Sequence, residues 1–97
     1  MQEYTVRMDD ENLSYKMKSY RAKTCALRVF KKVFHWSKKH TNTLLDFMRV
    51  ELHCEARNKI FAYLCTSQYI PGGFEVKINN EKSFSNHWKF TAMRIFI

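Results

Sequence analysis

Residues Tyr20 to His40 read YRAKTCALRVFKKVFHWSKKH, a run without acid, Gly or Pro in which every side chain is compatible with a helix. Placed at ~100° per residue, Ala22, Cys25, Ala26, Val29, Val33 and Trp36 fall on one side, and Leu27, Phe30 and Phe34 widen it. The spacing predicts an amphipathic helix starting near Ser19, with this stripe as its core face. Arg21, Arg28, Lys31, Lys32, His35, Lys38 and Lys39 gather on the opposite side. Packing cannot use such a face, so it is expected to meet solvent or an anion, with Phe34 and Leu27 as an apolar border beside the charge.

Upstream, Tyr4, Val6 and Met8 alternate with Glu3, Thr5 and Arg7, and Leu13, Tyr15 and Met17 alternate with Ser14, Lys16 and Lys18. This period of two predicts an N-terminal β-hairpin turning over Asp9-Asp10-Glu11-Asn12. Downstream, Thr41-Asn42-Thr43 offers three N-cap side chains. From Leu44 to Thr66, Leu45, Met48, Leu52, Ala56, Ile60 and Tyr63 recur at three- and four-residue steps, predicting a second helix that serves as scaffold. Tyr69-Ile70-Pro71-Gly72-Gly73 holds the only Pro and both Gly of the chain and is expected to end the helical part. Phe74 to Ile78 and Phe84 to Ile97 read as closing strands around a turn at Asn79-Asn80-Glu81-Lys82. A change of parity within the last strand suggests a bulge. The expected order is ββααββ, an α+β domain with two helices on one face of a mainly antiparallel sheet.

Composition limits the classes of function. With 97 residues, residues 1–97 form a single small domain. A content of 45% hydrophobic and 15% aromatic residues places the chain among globular proteins despite a net charge of +8. Apolar runs fall far short of the ~20 residues that span a bilayer, and MQEYTVRMDD lacks a signal-peptide core; the expectation is a soluble, cytoplasmic protein. The three cysteines Cys25, Cys54 and Cys65 are odd in number and widely spaced, which fits reduced thiols better than a disulfide framework. A pI near 9.6 argues for an anionic partner.

Residues for catalysis are few. No cysteine-hydrolase signature surrounds any thiol. His35, His40, His53 and His87 are not spaced with the cysteines as zinc ligands, Asp9-Asp10-Glu11 reads as a solvated loop, and Gly72-Gly73 leads into a strand instead of a phosphate-binding helix. The expectation is a non-enzymatic protein with no metal and no cofactor. Nine of the seventeen Lys and Arg lie between Leu13 and Leu45 without an acid. The candidate binding residues are therefore Arg21, Arg28, Lys31, Lys32, Phe34, His35, Lys38 and Lys39. Their partner is an acidic protein surface or, alternatively, DNA or RNA bound without sequence preference, since no base-reading motif is present.

In size, basicity and the character of residues 20–40 and 69–74, the chain resembles the small accessory proteins of temperate phages, and within them the anti-RecBCD proteins of P22-like phages. That resemblance implies a protein acting in the host cytoplasm that docks on a host DNA-repair helicase–nuclease of the RecBCD type. It would modulate or inhibit the enzyme, favouring phage recombination. Pro71 is a candidate conformational switch: cis and trans forms of the Ile70–Pro71 bond would present the C-terminal hairpin differently, with a host prolyl isomerase as a further partner. The alternative is a trans Pro that opens a type II turn.

Overall fold

A computed structural model describes residues 1–8, 14–78 and 82–96. It has five strands and one long helix in the order β1 (Gln2–Met8), β2 (Ser14–Ser19), α1 (Ala22–Thr41), β3 (Phe47–Cys54), β4 (Lys59–Ile78) and β5 (Lys82–Ile95), with a 3₁₀ turn at Glu55–Arg57 between β3 and β4. The strands form one antiparallel sheet in the order β2-β1-β3-β4-β5. The helix touches β2, β3, β4 and β5, so the sheet wraps around it. The turn expected at Asp9–Asn12 and residues 79–81 of the turn expected at Asn79–Lys82 lie outside the described residues; residues 74–78 are described by their backbone alone, which leaves out the inward side chains expected for Phe74, Val76 and Ile78.

The second helix expected over Leu44 to Thr66 does not form, so the expected ββααββ order with two helices is replaced by ββαβββ: two strands, one helix, three strands. The segment is a hairpin, with Phe47 paired to Thr66, Val50 to Tyr63 and Cys54 to Lys59. Its physical basis is a second periodicity in the same residues. Met48, Val50, Leu52 and Cys54 are buried in strict alternation with Phe47, Arg49, Glu51 and His53, the signature of a half-buried strand. β-Branched and aromatic side chains at Val50, Ile60, Phe61, Tyr63 and Thr66 also suit a pleated surface better than a helix. The four-residue loop closes through Asn58, which sits in the left-handed region at φ 49 and donates its backbone N–H to the Glu55 carbonyl at 3.1 Å; Asn tolerates that conformation better than most residues.

The core lies between α1 and the concave face of the sheet. Tyr4 and Val6 of β1, Met48, Val50, Leu52 and Cys54 of β3, Tyr63 and Cys65 of β4 and Ala92 of β5 meet Ala22, Cys25, Ala26, Val29 and Phe30 of the helix. Small side chains at Ala22 and Ala26 let the first half of α1 approach closely, whereas Phe30 and Phe34 fill the space beneath its second half. The helix starts without a side-chain cap and ends at Asn42 in the left-handed region, with Lys38, Lys39 and His40 in its last turn, where the helix dipole favours positive charge. The connection to β3 is tied down by Ser67, which donates its backbone N–H to the Asp46 carbonyl at 3.0 Å and its hydroxyl to the Leu45 carbonyl at 2.7 Å.

Ile70-Pro71-Gly72-Gly73 does not end a helix; it interrupts β4. Pairing with β5 shifts register between Tyr69 and Phe74, so the bulge suggested by the sequence lies on β4 and not in the last strand. All peptide bonds of the described residues are trans, Ile70–Pro71 included, and Gly72 stands at φ 83 and Gly73 at φ 76, a conformation that costs glycine little and other residues of order 1 kcal/mol.

The packing separates two kinds of substitution. Val29 is fully buried, so Val29→Asp places an unpaired carboxylate in the core at a cost of several kcal/mol against a total stability of about 5–15 kcal/mol. Arg28 and Lys32 are exposed. Urea unfolding followed by far-UV circular dichroism should show Val29→Asp largely unfolded in buffer and Arg28→Glu/Lys32→Glu within about 1 kcal/mol of the unaltered chain.

Candidate binding face

The cations of α1 form one continuous surface because the core side chains leave no alternative. Arg21, Arg28, Lys31, Lys32, His35, Lys38 and Lys39 are all exposed, and α1 carries no acid along its 20 residues. The ion pairs among the described residues are Lys16 with Glu3 at 3.7 Å and Arg49 with Glu51 at 3.5 Å, both on the sheet. The helix cations thus have no carboxylate partner among the described residues. Arg28 is steadied by donating a hydrogen bond from Nη1 to the Lys18 carbonyl at 3.4 Å. Neighbours such as Arg28 and Lys32 are one turn apart, and like charges at that spacing cost a helix about 0.2–0.5 kcal/mol per pair.

Two side chains change places relative to the expected arrangement. Phe34, expected at the border of the basic face, is fully buried: its ring centroid lies 5.0 Å from Phe90 and 5.1 Å from Trp88. It cannot contact a partner, and serves to hold the helix to β5. Trp36, expected in the core stripe, is 58% exposed. Its indole stacks on His40 at 4.8 Å and 19°, and the His40 Nδ1–H donates to the Trp36 carbonyl at 2.9 Å. Trp36 therefore stands on the open surface with Lys32 and Lys39 one turn to either side.

The opposite flank of the basic face runs into β5. Lys31 and His35 occupy one row of the helix, with the Lys31 ammonium 5.7 Å from the Phe90 ring centre and the His35 ring 6.2 Å from it. Beyond Phe90 the rings continue through Trp88 to Tyr69, 5.2 Å away, and to His87, which stacks on Tyr69 at 5.6 Å and 19°. Sequence reasoning missed Trp36, Tyr69 and His87. The signal for the last two was a pair of separate aromatic stretches, Tyr69 before Pro71 and His87-Trp88 in the last strand, which only the β4–β5 pairing brings together.

On the convex face of the sheet Phe47, Ile60 and Met93 are exposed, with Leu64 opposite Met93 and Ile95 opposite Ala62. This apolar surface was not expected from the sequence, because a helix over Leu44 to Thr66 would have turned Ile60 inward.

The three thiols are core side chains. Cys25, Cys54 and Cys65 are buried; burial raises the pKa of Cys25, opposed in part by Arg28, and pushes Cys65 up to about 11. Neither is set up as a thiolate near neutral pH. Among the described residues no group of three or more His, Cys, Asp or Glu is placed to hold a metal ion, and no helix is long and apolar enough to cross a membrane. Compared with protein-family models, curated proteins and solved structures, the chain finds no match.

The raised Cys65 pKa has a measurable consequence. An unfolded chain loses the thiol proton near pH 9, whereas the native state holds it to about pH 11. In that window the unfolded state binds fewer protons, so stability falls as pH rises, while below pH 9 the contribution is fully present. Chemical denaturation at steps from pH 8 to pH 11 should show a decline that is shallower in Cys65→Ala than in the unaltered chain. An equal slope in both would show that the buried thiol contributes nothing to it.

Proposed function

We propose that this protein is a non-enzymatic binding module that docks on a DNA-repair helicase–nuclease of its host through the basic face of α1 and modulates that enzyme. The observation that carries this is the acid-free row of cations on α1, without an ion pair among the described residues and fixed in place by Phe30 and Phe34 beneath it. Crowding these charges costs the isolated helix stability, and an acidic surface turns that cost into attraction, which also steers encounter. Trp36, 58% exposed on α1 between Lys32 and Lys39, adds an aromatic side chain to the same face, the kind of residue that protein interfaces favour. The class of partner follows from the resemblance to anti-RecBCD proteins of P22-like phages, whose mode of action is contact with such an enzyme and protection or rerouting of phage DNA ends.

The test uses a purified RecBCD-type enzyme, treated with nuclease to remove bridging nucleic acid, and biolayer interferometry at physiological salt. The protein should bind stoichiometrically and alter ATP-dependent degradation of linear duplex DNA. Arg28→Glu/Lys32→Glu should weaken binding by about 2 kcal/mol or more, because each reversal removes an attraction and adds a repulsion. Binding that disappears on nuclease treatment, or that the double reversal leaves unchanged, would contradict the proposal.

A further inference from the structure

Beyond docking on a protein, we propose that the ring strip where α1 meets the β4–β5 hairpin is a stacking site for unpaired bases of a single-stranded nucleic acid. It comprises Phe90, Trp88, Tyr69 and His87, with Lys31 and His35 alongside. Three independent features of the structure support it.

The rings are held in place before any ligand arrives. Trp88 is wedged between Phe34 at 5.1 Å and Tyr69 at 5.2 Å, so the strip grows directly out of the core. His87 is fixed from the other end: its Nδ1–H donates to the Ile70 carbonyl at 3.3 Å while its ring lies parallel to Tyr69. The Ile70–Gly73 interruption of β4 has a structural purpose here, because it aims the Ile70 carbonyl at His87. Holding the rings in advance lowers the entropy lost on binding.

The rings are also open to solvent. Tyr69 is 53% exposed, His87 is exposed, and Trp88 and Phe90 are partly so. A planar aromatic surface of this kind suits the face of a nucleobase, and stacking is indifferent to which base is present. In a duplex the base faces are covered by their neighbours, so only an unpaired strand can use the strip.

Finally, the surroundings are mostly basic, with Asp46, whose carbonyl accepts from the Ser67 N–H, and Glu75, opposite Ser85, among the nearest acids along the chain. Residues 20–45 of the helical segment, 59–73 of β4 and 82–95 of β5 contain no Asp or Glu. Lys31 stands 5.7 Å from the Phe90 ring and His35 beside it, where a phosphate between two stacked bases would lie. The pairing of aromatic faces with flanking cations is what distinguishes a strand-binding strip from an ordinary solvated basic helix.

Fluorescence anisotropy with labelled oligo-dT and oligo-rU of about 15 nucleotides, the span of a small single-strand-binding domain, tests this against a duplex of the same length. Binding of either single strand more tightly than the duplex supports the site, and the tighter of the two names its ligand. Tyr69→Ala/His87→Ala should lower single-strand affinity about tenfold with duplex binding unchanged, and Tyr69→Phe should leave it within about twofold, since the ring face persists. Circular dichroism of the double variant confirms that it is folded. A duplex bound as tightly as the single strands, full single-strand affinity in Tyr69→Ala/His87→Ala, or equal competition by polyglutamate of matched charge would overturn the proposal. The substitutions spare Arg28 and Lys32, so failure here is distinct from failure of the docking proposal.

Discussion

Phe30 and Phe34 fasten α1 to the sheet, and the rest of the molecule follows from that contact. One helical turn apart, both are fully buried, and their rings meet Phe90 edge to face at 5.8 and 5.0 Å. Fully burying a phenylalanine contributes about 1.5–3 kcal/mol, and edge-to-face pairs add about 0.5–1.5 kcal/mol each. Against a net stability of about 5–15 kcal/mol, two such anchors in the middle of a single helix are a large share. They also determine orientation: with Phe34 directed at β5, Lys31 and His35 come to lie over Phe90, and Trp36 is carried out to the surface on the far flank.

A single helix covers one face of a five-stranded sheet, which leaves the other face to solvent. That arrangement explains the division of surfaces. The concave side is filled by the helix, the helix's own outer side carries the cations, and the convex side of the sheet presents Phe47, Ile60 and Met93. An open, partly apolar sheet face and a helix crowded with like charge are both unfavourable in isolation. Partners that cover them convert each cost into binding energy, which links the fold to the proposed function without requiring any catalytic group.

The N-terminal strands and the single basic helix were legible in the sequence because their periodicities are unambiguous: Tyr4 and Val6 alternate with polar neighbours, and no period of two fits residues 20–40. The segment from Leu44 to Thr66 was not, since Met48 and Leu52 satisfy a step of four while Met48, Val50, Leu52 and Cys54 satisfy a step of two. Long-range pairing with β1 and β5 decided between them, in favour of the β-branched and aromatic content of the segment. The exchange of Phe34 and Trp36 has a different origin. A fixed wheel assumes that one direction stays buried along the whole helix, yet the buried set moves from Ala22, Cys25, Ala26 and Val29 in the first half to Phe30 and Phe34 in the second, because the helix crosses a twisted sheet. The cationic part of the candidate face depends only on the polar side of the wheel and was readable. The Tyr69–His87 pair depends on a cross-strand register that no local pattern encodes.

The most direct measurement of this arrangement is a nuclear Overhauser spectrum of the aromatic side chains in solution. The packing described predicts cross-peaks from the Phe34 ring to Phe90 and to the Trp88 indole, together with a Trp36 indole that contacts only His40 and its own helix. Cross-peaks from Trp36 to Val50 or Leu52, with a Phe34 ring free of contacts to β5, would show that the helix is rotated about its axis and would contradict the account of both the core and the binding face.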